Sequence, residues 1–198
     1  MQLKKETKGT RMKRQLYDCA IELFKSKGYD HVSVEEIVQR AGVAKGTFYI
    51  YFASKAQVVT TMLSHYDAYY EDIYAKLDPQ LPIGEALDYL IAKSCEFTVQ
   101  VIGRDLIRVL YIMELSRQGK AEELYMDRSL YRILKDLINK GQEKGEYRRD
   151  LPAEALTNLL VRSIRGCFFE WCIYQGNFDL SANCLEYTRM FRQSFLPV

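Results

Sequence analysis

Apolar residues along this chain recur mostly at intervals of three and four, and alternating runs are scarce, so the pattern predicts helices almost throughout. The first predicted helix runs from Gly9 to Lys27, with Leu16, Ala20, Leu23 and Phe24 on one stripe. Gly28 follows a lysine-rich last turn and reads as its C-terminal stop. The second helix has an explicit start: Ser33 and Glu36 form a capping box, and Val32 and Ile37 occupy the two positions of a hydrophobic staple. Val34, Ile37, Val38 and Ala41 make its inner face, and Gly42 ends it. A short third helix follows over Lys45–Phe52, with Phe48 and Phe52 pointing inward. Ser54 with Gln57 repeats the capping signature, which opens a fourth helix at Lys55 running to Leu77. Five more helices are predicted over Ile83–Ile102, Asp105–Glu114, Lys120–Lys144, Pro152–Tyr174 and Ser181–Phe195. The fold class is therefore all-α, with about nine helices. Three helices form a small N-terminal module over residues 1–54, and the remainder forms a helical domain over 55–198.

Composition changes this picture little. A chain of 198 residues, nearly half hydrophobic and with four prolines, suits an ordered helical protein. No apolar run reaches the roughly 18 to 20 residues that span a membrane, and the N-terminal stretch lacks a signal-peptide pattern, so a cytoplasmic protein without membrane attachment is expected. The five cysteines, Cys19, Cys95, Cys167, Cys172 and Cys184, are scattered and outside metal-ligand spacing, so neither a disulfide framework nor a metal site is indicated. Charge adds more. Residues 1–60 carry eleven Lys and Arg against six Asp and Glu, whereas residues 61–198 carry seventeen against twenty. A basic front on a slightly acidic body points to a polyanion partner for the front alone.

The second and third helices, joined by a glycine turn and backed by the first, make a helix-turn-helix. An isolated eight-residue helix is marginal in water, so the third helix has its use in what it presents. Gly46 costs about 1 kcal/mol of helix propensity against alanine and leaves room for a close approach. Lys45 reaches guanine O6 and N7 or a phosphate. Thr47 suits a phosphate or a thymine methyl, and the hydroxyls of Tyr49 and Tyr51 suit fixed phosphate contacts. The helix N-terminus is itself suited to phosphate. Lys55, with the amides beside Ser54, offers a second phosphate clamp. Glu35 and Glu36 are explained by helix capping.

The run AGVAKGTFYIYFASK, Ala41–Lys55, with the helix before it, resembles the DNA-binding domain of the TetR family of transcriptional regulators. The resemblance covers about residues 10–60. Beyond it, the likeness lies in length, helix count and a Trp171–Asp179 ending of the form WxxxxGxxD. It implies DNA contacts at Ser33, Lys45, Gly46, Thr47, Tyr49, Tyr51 and Lys55. Ile50 stands at a variable position and is read as an apolar base contact or a packing residue. The basic arm with Lys4, Lys5, Lys8, Arg11, Lys13 and Arg14 either adds phosphate contacts or is a solvated tail.

The resemblance further implies a C-terminal domain that dimerises and binds a small effector. The eighth helix reads IRGCFFEWCIY over 164–174, apolar on nearly every side, so one face packs inward and the other needs a partner. With the ninth it makes the expected homodimer interface; the alternative is a single large core that swallows the eighth helix. The roles of Arg165 and Glu170 within it stay open. Effector candidates are Tyr66, Tyr70, Phe97, Tyr111, Met113, Cys167 and Trp171, suited to an apolar or aromatic molecule or simply to the core. The expected function is a repressor that a small effector releases from a pseudo-palindromic double-stranded DNA operator. The alternative is a DNA-binding protein of the same fold that acts through protein partners without an effector. No cofactor is called for, and enzymatic motifs such as GxSxG, HExxH or a phosphate loop are absent from the sequence. The two histidines, His31 and His65, stand far apart in sequence.

Overall fold

The computed structural model describes residues 7–116 and 128–197. Among these the regular structure is helical, with no strand. The chain divides into two compact units, Met1–Leu63 and Ser64–Val198.

The first unit begins with α1, Lys8–Lys27, capped by Thr7, whose side chain accepts from the Thr10 amide. Leu16, Tyr17, Ala20, Leu23 and Phe24 are buried at helical spacing. Gly28 stops the helix at φ 84°, and its N–H donates to the Phe24 carbonyl at 2.9 Å. Few residues other than glycine adopt that backbone cheaply. A 3-10 turn over Tyr29–His31 leads to α2, Val34–Ala41. Its capping box is complete. The Glu36 amide donates to Ser33 Oγ at 3.2 Å, and the Ser33 amide donates to Glu36 Oε2 at 2.8 Å. The staple closes as expected, with Val32 and Ile37 both buried. Gly42 ends α2 in the left-handed region at φ 67°. The short α3, Lys45–Tyr51, follows after Val43 and Ala44. Phe48 and the residue just after the helix, Phe52, are fully buried, with their rings 5.5 Å apart.

The division between the units falls within α4, Lys55–Ala75. The second unit continues with α5, Ile83–Phe97; α6, Arg104–Leu115; α7, Ser129–Glu143; α8, Ala153–Ile173; and α9, Leu180–Arg192, closed by a 3-10 turn at Gln193–Phe195. Helix α9 packs on α5 and α8, α7 packs on α8 and α5, and α6 lies against α8. Leu87, Leu90, Ile91, Leu134, Ile138, Leu156, Leu160, Leu180 and Phe195 fill the core between them. No helix among the described residues is long and apolar enough to cross a membrane. The five cysteines are free thiols; Cys95, Cys167 and Cys184 are buried and behave as small apolar residues.

One difference from the expected elements has a local cause. The fifth helix does not run unbroken to Ile102: it gives way at Thr98 to a π turn, Thr98–Ile102. Thr98 Oγ1 donates back to the Ser94 carbonyl at 2.8 Å, and the Gly103 amide closes onto the Thr98 carbonyl at 2.7 Å. A side chain competing for backbone groups, followed by a glycine at φ 87°, loosens the ladder here. The described part of the seventh helix starts at Ser129, where Asp67 of α4 accepts from the Ser129 amide at 3.2 Å. The expected start at Lys120 lies outside the described residues. In α8, Ile164, Cys167, Phe168 and Trp171 are buried, but the two charged residues are not swallowed with them. Arg165 pairs with Glu114 of α6 at 3.1 Å, and Glu170 is exposed.

One close approach depends on glycine. A Cβ on Gly141 of α7 would stand 2.6 Å from the ring of Tyr147. That ring is itself buried, edge-on to Phe195 at 6.0 Å. Gly141→Ala is expected to cost about 1–3 kcal/mol by overpacking, read as a lower urea midpoint at unchanged slope.

Candidate nucleic-acid interface

The surface built by α2 and α3 follows from a simple division of residues. With Phe48 buried, the rotation of α3 is set, and the neighbouring positions turn outward. Tyr49 is 50% exposed and Ile50 77% exposed. Two large side chains on a seven-residue helix are thus left uncovered by the chain itself. Lys45 and Gly46 are exposed and Thr47 half-buried. A Cβ on Gly46 would meet nothing within 4 Å, so the chain's own packing does not require glycine there.

The other predicted contact residues are placed differently. Tyr51 is half-buried, and its hydroxyl lies 3.7 Å from where a Cβ on Gly9 of α1 would stand. It therefore leans back toward α1 and does not share the outward setting of Tyr49. Ser33 is exposed, but its hydroxyl is engaged in the α2 cap. The Lys55 ammonium has partners within the chain. It donates to the carbonyls of Tyr29 at 2.7 Å and Val32 at 2.8 Å, and lies 4.1 Å from the centre of the Tyr29 ring. Those carbonyls belong to the turn before α2 and draw the cation inward. The residue ties that turn to the start of α4, an arrangement that sequence distance conceals.

Glutamates on α2 complete the electrostatics. Glu36, the capping residue, also pairs with Lys27 at 2.7 Å. Lys27 first, then the amide and hydroxyl of Ser33, hold its carboxyl down at about 2. Glu35 stands beside the capping box in the first turn of α2. It forms an ion pair with Lys45 across the α2–α3 turn, and that hydrogen bond is the main cause of its lowered pKa. Helix capping alone therefore does not account for Glu35. The missed signal is its position one residue before the box glutamate, on a helix facing the lysine that opens the next. On α1, Arg11, Arg14, Gln15, Asp18, Cys19 and Glu22 line an open hollow of about 270 Å³.

The effector candidates separate into contact groups in the second unit. Tyr66 and Tyr70 are buried and stacked, 5.9 Å between ring centres, and Phe97 stands edge-on to Tyr66 at 5.1 Å. Their hydroxyls pair with Thr98 and Ser94, each at 2.7 Å. Burial drives both phenol pKa values upward. Tyr111 donates to the Arg165 carbonyl at 2.9 Å and meets Phe169 edge-on. Met113 is half-buried. Cys167 is buried beside Cys184, and Trp171 lies under the turn at Gly176.

A three-helix unit with an exposed recognition helix defines the chain as a helix-turn-helix DNA-binding regulator. Comparison with known proteins places it further. The family model for bacterial regulatory proteins of the tetR family matches residues 16–62. The HTH-type transcriptional regulator YvdT of Bacillus subtilis (strain 168), itself uncharacterized, is 31% identical over 141 residues, covering 69% of each chain. The fatty acid metabolism regulator protein of the same bacterium is 21% identical over 169 residues, 85% of this chain and 87% of that one. Among solved structures, Thermus thermophilus FadR, a TetR-family repressor crystallised with lauroyl-CoA, matches with a TM-score of 0.76 at 22% identity, covering 93% of this chain and 95% of that one. FadR of Bacillus subtilis, in complex with stearoyl-CoA, matches at 0.70 and 21%, covering 92% and 98%. The chain belongs to the TetR family of transcriptional regulators.

Two substitutions test these placements. Lys55→Met is expected to destabilise the protein by about 1.5–3 kcal/mol, the range for hydrogen bonds from a charged group. The salt dependence of DNA binding is expected to stay unchanged. Gly46→Ala is expected to raise stability by up to about 1 kcal/mol while weakening DNA binding. Urea unfolding and duplex titration separate the two effects.

Proposed function

We propose that the protein is a homodimeric repressor that reads a pseudo-palindromic operator through paired α3 helices and leaves it when a small apolar effector binds. The observation that carries the reading is the outward setting of Tyr49 and Ile50 on a helix held by Phe48. In this reading Lys45 and Ile50 meet bases, and Tyr49 and Thr47 position the backbone. Gly46 admits close approach, and Ser33 and Tyr51 contribute from the rim. Lys55 acts by holding the turn before α2. Residues 1–54 carry DNA reading; residues 55–198 carry dimerisation and effector binding. Such a regulator works in the cytoplasm and needs no cofactor.

Helices α8 and α9 support the dimer. Leu159, Phe169 and Ile173 are exposed along one stripe of α8, and Tyr187 and Met190 are exposed on α9. Gly166 lies on the α8 stripe, and a Cβ there would meet nothing within 4 Å. A mid-helix glycine costs about 1 kcal/mol, a cost offset when a partner helix packs closely against it. Two such pairs form a four-helix interface about a two-fold axis. The recognition helices then stand about 34–36 Å apart for successive major grooves.

For the effector, the relatives crystallised with lauroyl-CoA and stearoyl-CoA favour a fatty acyl thioester. The Tyr66, Tyr70 and Phe97 group, with Tyr111, Met113, Cys167 and Trp171, supplies apolar walls and a few hydroxyls. The effector shifts the protein only by binding the DNA-released arrangement more tightly.

Selection of bound duplexes from a random pool is expected to enrich an inverted repeat, and lauroyl-CoA is expected to release that duplex where free CoA does not. A pool without enrichment overturns the operator reading. An enriched repeat that no acyl-CoA releases overturns the effector class alone.

A further inference from the structure

Lys45 opens the recognition helix, yet its ammonium is not presented alone. Glu35, the second residue of α2, engages it across the turn, and both side chains are more than half exposed. The capping carboxylate beside it, Glu36, is bound instead to Lys27 and the Ser33 amide. The two glutamates therefore pair with different lysines, and Glu35 stands outside the Ser33–Glu36 capping box.

The pair discriminates between the two acceptors DNA offers. A phosphate seated on Lys45 carries a full negative charge and comes close to the Glu35 carboxylate. The repulsion offsets part of what the lysine gains, roughly a factor of two to five in affinity per subunit at surface dielectric. Guanine O6 and N7 are neutral acceptors and escape that penalty. An ammonium has three donors; one given to Glu35 leaves two for O6 and N7. The opposite base completes the match, because cytosine N4 presents a donor that a carboxylate accepts. A lysine and a glutamate held side by side thus carry the donor and acceptor pattern of one G·C base pair.

We propose that Glu35 is a specificity-determining residue: with Lys45 it reads a G·C pair in each half-site and lowers affinity for DNA that offers only phosphates. This rests on the DNA reading proposed above and adds to it a role for α2.

The test uses the full chain and its Glu35→Gln and Lys45→Gln variants. Each is passed through duplex selection, and each is titrated against a fixed duplex of A·T pairs at several salt concentrations. Wild type is expected to show one G·C-preferring position per half-site. Both variants are expected to lose preference at that same position and keep the others. Glu35→Gln is expected to bind the A·T duplex about two- to five-fold more tightly per subunit. The slope of log K against log salt should steepen by about 0.9 for each phosphate gained. Lys45→Gln should bind that duplex more weakly. A Glu35→Gln profile and A·T affinity equal to wild type overturn the inference, as do losses at different positions in the two variants. A wild type that enriches nothing overturns the operator reading as well, so the two failures are distinguishable.

Discussion

The burial of Phe48 is the constraint on which the DNA-facing surface depends. A helix of seven residues has little stability of its own. It persists because one aromatic ring is withdrawn fully from water, worth on the order of 1.5–3 kcal/mol for a side chain of this size. The same burial sets the rotation of the helix. At 3.6 residues per turn, Tyr49 and Ile50 then face outward and Phe52 returns to the core. Stability and presentation are one event at this site.

Helix α2 is held at its ends by groups whose chemistry is local and groups whose chemistry is not. Ser33, Glu36 and Gly42 act within their own helix, the first two on orphan amides and the last by adopting a left-handed backbone. Lys55 acts across 26 and 23 residues, on the carbonyls of Tyr29 and Val32. A half-buried cation seated on two carbonyls is a positioning group. It keeps α2 and the start of α4 in register, and α3 lies between them in the chain. Glu35 and Lys45 show the converse: an exposed pair contributes little to stability and is better understood through what it offers a ligand.

In the second unit, hydroxyl pairing governs the aromatic core. Tyr66 and Tyr70 are deeply buried, and burial without partners would cost each hydroxyl heavily. Thr98 and Ser94 satisfy them, and Thr98 also opens the π turn through its bond to the Ser94 carbonyl. Packing, polar satisfaction and a break in helix geometry therefore share the same few atoms. Any ligand that competes for those hydroxyls acts on the α5–α6 junction directly.

Helix existence, the stops at Gly28 and Gly42, the capping box and the inward phenylalanines were legible in the sequence. Each depends on residues within about eight positions, where spacing along the chain stands in for distance. The same holds for the run Ala41–Lys55, most of which is one turn and the short α3. The π turn, the inward use of Lys55, the leaning of Tyr51 toward α1 and the pairing of Glu35 with Lys45 were not legible. Each is a choice among several partners of comparable energy. Lys55 had phosphate or two distant carbonyls available, and Glu35 had a helix end or a lysine across a turn. Periodicity assigns a residue to a face, but only tertiary structure decides which polar group on the facing element it meets.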